Sequence, residues 1–202
     1  VKLLEVRAGN PPSAIEMLKR FNRIHGLDRL TEQWQIWETW FADIEESHTS
    51  LSALVFFRSP QSNQSWITAA GTVLDAAALT LSAIDRPTDP PAALCIRAGY
   101  LALRRVANFF AIDYNDDPRF PDDPISISRQ EFDQACQSME ESGIPLKPDR
   151  DQAWRDFGGW RVNYDTVLLA LADLTMAPEA PWTGDRSRFV PVLPLLRPRK
   201  KT

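Results

Sequence analysis

The spacing of apolar residues predicts helices along most of the chain. The clearest pattern lies over residues 28–48, where apolar side chains recur at alternating steps of three and four positions, as on one side of a helix. These positions are Leu27, Leu30, Trp34, Trp37, Phe41 and Ile44. Ile36 and Trp40 widen this apolar side beyond the narrow stripe of a coiled coil. The pattern therefore indicates one long helix with a broad buried face.

The aromatic residues of this helix have two possible roles. Packing in the core of the domain explains them, because burial of each large side chain stabilises a fold by roughly 1.5–3 kcal/mol. The same residues would also suit a helix that contacts a second subunit, in a homo-oligomer. The candidate subunit-contact face consists of Trp34, Trp37, Trp40 and Phe41.

Helix-start and helix-stop signals predict the remaining elements. Two capping boxes, at 13–16 and 128–131, mark helix starts, and Gly26 and Gly143 fit the glycine that follows a helix end. A short turn around 153–157 and a final helix over about 160–176 follow. Together these elements predict an all-α bundle of five to seven helices, with an extended Pro-rich basic C-terminal tail.

Residues 66–84 form a long apolar stretch that contains a single charge, Asp75. A membrane span is one interpretation of such a segment. However, a carboxylate at the centre of a span costs about 2.5–3.5 kcal/mol, which offsets the gain from the apolar residues. Six of the residues are alanines, which contribute little to insertion. The stretch is therefore predicted to be the central buried helix of the bundle.

Charge is distributed unevenly and divides the chain into four parts. Residues 1–112, predicted to form the helical core, carry 11 acidic and 11 basic residues. An acidic loop over 113–124 and a helical lobe over 125–183 come next, and residues 113–185 carry 16 acidic and 6 basic residues. A flexible basic tail is predicted over 184–202. This distribution argues against nucleic acid as a partner.

A carboxylate in an alanine-rich core helix requires a polar partner. The predicted partners of Asp75 are arginines and a histidine from neighbouring helices: Arg58, Arg104, Arg105 and His48. A structural polar network of His48, Arg58 and Asp75 is the expected outcome. The alternative is that these three residues bind a ligand or form an enzyme active site.

No motif in the sequence predicts catalysis, a metal or a cofactor. In the acidic loop, Asp113, Asn115 and Asp117 match the first positions of a calcium-binding EF-hand loop. Pro118 and Pro124 stand where that loop needs glycine and glutamate, which excludes it. Residues 45–50 contain serine, histidine and acids, but as chain neighbours rather than residues converging on a nucleophile. There is no glycine-rich phosphate loop, and the two cysteines suit a reducing compartment.

Several short segments together resemble a known family. The segments are Glu46–Ser50, Phe56–Gln61, Ser65–Trp66, Val73–Leu79 and Gly159–Tyr164. In their order and spacing they are similar to the C-terminal half of bacterial ion-channel-like membrane proteins of the two-pore-domain potassium channel family. The similarity extends over about residues 3–185. In that family a short transmembrane part with a pore loop precedes this region.

The resemblance implies a non-catalytic regulatory or assembly domain. Its partner would be the membrane-embedded pore region of the same polypeptide, and its location the cytoplasmic face of the bacterial inner membrane. The first residue, Val1 rather than Met, agrees with such an arrangement. The alternative function is a free-standing helical module that binds another protein through Trp34, Trp37 and Trp40.

Overall fold

The computed structural model describes residues 2–56 and 65–186. Within these ranges the structure is helical, and the only strand-like pairing is an isolated bridge between Ile84 and Leu146. The α-helices are α1 Lys2–Ala8, α2 Ala14–Arg23, α3 Leu30–Ser50, α4 Trp66–Ser82, α5 Pro90–Phe109, α6 Arg129–Glu141, α7 Arg150–Arg161 and α8 Asp165–Leu174. The predicted all-α fold is thus confirmed, with eight α-helices in these ranges where five to seven were expected.

Helix α4 lies at the centre of the bundle. Of its residues only Leu81 is partly exposed, and the helix packs against α2, α5, α7 and α8. Four buried hydroxyl side chains donate to carbonyl groups three or four residues earlier along the chain, so they need no partner outside the helix. They belong to Thr68, Thr72, Thr80 and Ser82. Among the described residues no helix has the length and apolar character of a membrane span.

Helices α3 and α5 run parallel and form the most extensive contact between helices. Near their N-terminal ends Thr31 Oγ1 donates a hydrogen bond of 2.9 Å to Asp89. Near their C-terminal ends Arg105 pairs with Glu45. The buried face of α3 that the sequence predicts supplies Trp34, which has no exposed surface, to the core.

Gly99 allows α3, α4 and α5 to approach each other closely. A Cβ atom added at Gly99 would lie 2.5 Å from Leu74 Cδ2 of α4 and 3.0 Å from the ring of Phe41 of α3. Both neighbours are fully buried, so neither has space to move away. A residue larger than glycine would therefore separate the three helices.

The region after α6 differs from the prediction. The expected short turn at 153–157 is instead the middle of α7, which begins after the capping residue Asp149 and continues through Gly158 and Gly159. These glycines do not end the helix. Phe120 packs on Gly158, where an added Cβ would lie 2.6 Å from the phenylalanine ring. Gly158 therefore reflects packing rather than a turn, whereas an added Cβ at Gly159 would meet no neighbouring side chain.

Two predicted boundaries also need correction. The left-handed residue after α2 is His25, with φ of 53°, rather than Gly26. The predicted flexible tail starts too early at 184, because Arg186 pairs with Glu131 and donates a hydrogen bond of 2.7 Å to the Ser126 carbonyl. Residues 187–202 lie outside the described ranges.

We expect Gly99→Ala to lower the free energy of unfolding by about 1–3 kcal/mol, because overpacking forces the surrounding side chains out of position. Gly159→Ala is the matched control, because Gly159 also lies inside a helix, α7. Apart from the backbone of that helix, no atom lies within 4 Å of an added Cβ at Gly159. This control should be neutral or stabilising by up to about 1 kcal/mol, because alanine favours helix. Urea unfolding measures both. Equal effects of the two changes would contradict the close approach at Gly99.

Candidate functional site

Asp75 is buried in the middle of α4, as the sequence predicts, with 1% of its surface exposed. Its carboxylate accepts a hydrogen bond of 2.8 Å from the Tyr164 hydroxyl. It also forms an ion pair with Arg161. The partner is therefore an arginine, as expected, but it is none of the arginines named from the sequence.

Arg161, the last residue of α7, is fully buried and distributes its hydrogen bonds over several parts of the chain. Its Nη1 donates to Asp75, and its Nε donates to Asp165 Oδ1 over 2.7 Å. Its Nη2 donates to the Trp182 carbonyl, also over 2.7 Å. The guanidinium thus connects α4, α7, α8 and the segment that follows α8.

Asp165 is the first residue of α8, and its carboxylate accepts hydrogen bonds from two parts of the chain. In addition to Arg161, the Ser126 hydroxyl donates to Asp165 Oδ1 over 2.7 Å, and the Ser126 main-chain N–H donates to Oδ2 over 2.9 Å. This contact fixes the chain before α6 against the start of α8. We refer to Asp75, Arg161, Tyr164, Asp165 and Ser126 as the polar centre.

The segment after α8 folds back over the polar centre. Trp182 adopts a left-handed backbone conformation, with φ of 62°, that directs its carbonyl to Arg161. Its indole packs against Phe157 at a ring distance of 5.7 Å. The next residue, Thr183, is fully buried beside Gly71 of α4, where an added Cβ would lie 2.2 Å from Thr183 Oγ1. Arg186 then fastens the segment to Glu131 of α6.

The two carboxyl groups that share Arg161 have pKa values shifted in opposite directions. Burial raises the pKa of Asp75, and the charge and hydrogen bonds of Arg161 and Tyr164 oppose this only in part. Burial would also raise the pKa of Asp165, but Arg161 and the Ser126 hydrogen bonds outweigh it and hold the pKa below the ordinary value. Arg161 therefore has two carboxyl groups as counter-charges, and additional hydrogen bonds from Ser126 stabilise the ionised form of Asp165.

Of the predicted polar network, the structure describes His48 and Asp75 and does not bond them to each other. His48 is buried, but its Nδ1 lies 2.9 Å from Ser47 Oγ, and its ring contacts Trp66 at 4.8 Å. Burial lowers the pKa of His48. The bonds of Asp75 to described residues are those with Arg161 and Tyr164, and Arg58 lies outside the described residues.

The predicted subunit-contact face is mostly internal. Trp34 and Phe41 have no exposed surface, and Trp37 is 5% exposed. Trp40 is partly buried, and its ring meets Trp37 and Phe41 edge-on at 4.8 and 5.2 Å. Core packing, the first of the two roles considered for these residues, is what the structure shows. Trp34, Trp37 and Phe41 are therefore not available to a binding partner, whereas Trp40 is partly exposed.

Sequence reasoning missed Arg161 although a signal for it was present. Arg161 and Asp165 are four residues apart, the spacing at which opposite charges meet on a helix. The chain bends between them at 162–164, so the pair joins two helices rather than stabilising one. Placing a single helix over 160–176 concealed that bend and the role of the arginine.

A separate cavity of about 160 Å³ lies at the surface, between α5, the acidic loop and the start of α8. Arg104 lines it, with Nε and Nη2 bonded to the Asn163 carbonyl at 3.2 and 3.0 Å and Nη1 bonded to the Asp116 carbonyl at 3.0 Å. Asp123 lines it from the acidic loop. This cavity, unlike the polar centre, is open to solvent.

No protein-family model, curated protein or solved structure matches this chain. Within residues 2–56 and 65–186 no group of three or more His, Cys, Asp or Glu side chains is placed to hold a metal ion. Both cysteines in these ranges are buried and free.

We expect Asp75→Ala to destabilise the fold by about 2–5 kcal/mol, because it leaves the Arg161 Nη1 and Tyr164 hydroxyl donors buried without their acceptor. Arg161→Met should cost more at neutral pH, since it leaves two buried carboxyl groups without their cation. Asp133→Ala is the control, because Asp133 pairs with Arg129 at the surface, where such a pair contributes about 0–1 kcal/mol. The measurement is chemical denaturation. If Asp75→Ala proved as stable as the parent, the role of Asp75 as a stabilising acceptor for Arg161 and Tyr164 would be contradicted.

We expect Glu131→Gln to remove part of the acid sensitivity of the fold. Partial burial would raise the pKa of Glu131, but hydrogen bonds from Arg186 and Ser128 lower it from 4.5 to about 2. A carboxyl group with a lowered folded-state pKa stabilises the fold above its unfolded value, and this is lost as the pH falls to the folded value. The variant should be less stable than the parent above pH 4.5, and the difference should shrink towards pH 2.

The measurement is the free energy of unfolding by urea at several pH values between 4.5 and 2. Glu179→Gln controls for the loss of one surface charge, because Glu179 is exposed and forms no ion pair with the described residues. A stability difference between parent and Glu131→Gln that stayed constant across this range would contradict the assignment.

Proposed function

We propose that this chain is a non-catalytic regulatory or assembly domain of a bacterial channel-like membrane protein, acting on the pore region of the same polypeptide. One observation carries the proposal. Two segments of the family resemblance, Val73–Leu79 and Gly159–Tyr164, are far apart in the chain and supply Asp75, Arg161 and Tyr164 to the polar centre. Residues from both segments are therefore bonded to each other in the buried network that stabilises the fold.

A second buried contact also joins two segments of the family resemblance. His48, from the segment Glu46–Ser50, packs against Trp66 at the start of α4. The Trp66 indole in turn donates a hydrogen bond of 2.9 Å to the Val55 carbonyl. Motif residues that form interior contacts are what a shared fold requires, so the resemblance supports a domain of the same kind.

The chemistry of the polar centre favours coupling over turnover. Asp75, Arg161, Tyr164 and Asp165 are each at most 1% exposed, and their side chains are bonded to one another. A substrate would have to displace these bonds to reach any of them. Regulation of a pore requires the domain to have two arrangements that bias the pore differently, and a network shared by several helices would change as a unit between them.

Assembly with further copies would use surfaces other than the tryptophan face of α3. Leu3 and Val6 of α1 are 67% and 75% exposed, and Ile36 and Leu94 are more than half exposed on α3 and α5. Exposed apolar side chains of this size are typical of contact surfaces when they are contiguous. The oligomer expected from the resemblance therefore has apolar side chains available on these helices.

The test is potassium flux through liposomes that contain the full-length protein encoded by the parent gene. We expect removal of residues 1–202 to change the flux, and Asp75→Ala to change it in the same direction. Asp133→Ala should behave as the parent. Coupling between a domain and a pore of about 1–3 kcal/mol would alter open probability some 5–150-fold.

Two outcomes would end the proposal. Equal flux with and without residues 1–202, together with unchanged subunit assembly, would exclude both a regulatory and an assembly role. A parent gene that encodes no membrane segment would exclude the pore partner.

A further inference from the structure

We propose that the surface cavity beside the α7–α8 junction binds a small zwitterion, namely an α-amino acid with a small uncharged side chain. The proposal goes beyond the function proposed above and does not depend on it. It rests on two opposite charges that line one cavity without pairing with each other.

Arg104 supplies the positive charge. Its guanidinium is stacked beside the rings of Tyr100 and Tyr114, at 4.9 and 5.4 Å. Its three hydrogen bonds go to main-chain carbonyl oxygens, and no carboxylate of the described residues forms an ion pair with it. A guanidinium has five N–H donors, so two remain for a ligand. A carboxylate is the group whose geometry and charge suit them.

Asp123 supplies the negative charge. Its carboxylate accepts a hydrogen bond of 2.8 Å from the Arg119 main-chain N–H and two longer ones, 3.2 and 3.3 Å, from the Asn115 amide. These neutral donors lower the pKa of Asp123 and keep it ionised, yet no base among the described residues pairs with it. A ligand ammonium group would meet an ionised carboxylate there that no basic side chain of the described residues occupies.

The remaining lining limits the ligand to a small molecule. At about 160 Å³ the cavity is below the 300–1,000 Å³ that is usual for drug-sized ligands. Val162, Val167 and Pro124 provide apolar contacts for a methyl group, and Thr166 adds a hydroxyl.

Isothermal titration calorimetry of the 202-residue chain with glycine and alanine tests the proposal. We expect binding of one molecule with a dissociation constant between about 10 µM and 10 mM, a range that five or six non-hydrogen atoms can reach. Acetate, which lacks the ammonium group, and methylamine, which lacks the carboxylate, should each bind at least about tenfold more weakly. Phenylalanine should bind more weakly as well, because its side chain exceeds the cavity.

Asp123→Asn is the informative variant, since it removes the charge but keeps an oxygen to accept the Arg119 N–H. It should weaken glycine binding at least about tenfold. Asp122→Asn is the matched control, because Asp122 is the adjacent exposed carboxylate and does not line the cavity. It should leave binding within about twofold of the parent.

A second measurement covers the possibility that Asp123→Asn disturbs the loop. In the parent chain, glycine should shift the NMR amide signals of Asn115, Asn163 and Thr166, and equal concentrations of acetate should not. The proposal is overturned if glycine and alanine show no binding at concentrations of tens of millimolar. It is also overturned if acetate binds as tightly as glycine, or if Asp123→Asn and Asp122→Asn bind glycine equally well.

Discussion

A charged arginine without access to water is the constraint on which this structure depends. Removing a guanidinium from water costs several kcal/mol, and only close counter-charges with complete hydrogen bonding recover that cost. Arg161 obtains its partners from α4, from α8 and from the segment after α8. Because each element contributes one partner, none can move without leaving a buried donor or acceptor unsatisfied. The relative positions of these elements are therefore set together rather than pair by pair.

Small residues allow charged groups to meet at the centre of the bundle. Helix α4 presents alanines and glycine to its neighbours, so the helices around it approach closely enough for side chains to bond across the axis. Gly71 accommodates Thr183, and Gly99 of α5 accommodates Leu74. The same composition explains why residues 66–84 have the apolar appearance of a membrane span. The sequence argument from Asp75 against a span agrees with the observed fold, in which that carboxylate has an arginine partner.

Periodicity predicted most of the helices, although neither α1 nor the division between α7 and α8, and it could not predict which side chains meet. The buried face of α3, the burial of Asp75 and the capping box at Ser128 all depend on neighbours within a few residues, and each is observed. The partner of Asp75 depends on how α7 crosses α4, which no local pattern encodes. Gly158 illustrates the limit: a glycine reads as a helix end, yet here Phe120 occupies the space where a side chain would be.

The sealed polar centre and the open cavity share one short stretch of chain. Arg104 holds the carbonyl of Asn163, and Asn163 lies between Arg161 and Tyr164. On one side of this stretch, the residues face a cavity open to solvent, and on the other they bond to Asp75 in the core. The Asn163 carbonyl that Arg104 binds is therefore two residues from Arg161, the arginine that positions α4, α7 and α8. Coupling between two sites is reciprocal, so a ligand that altered Arg161 through this stretch would itself be bound more or less tightly to the same degree. The α7–α8 junction thus joins the wall of the surface cavity to the polar centre.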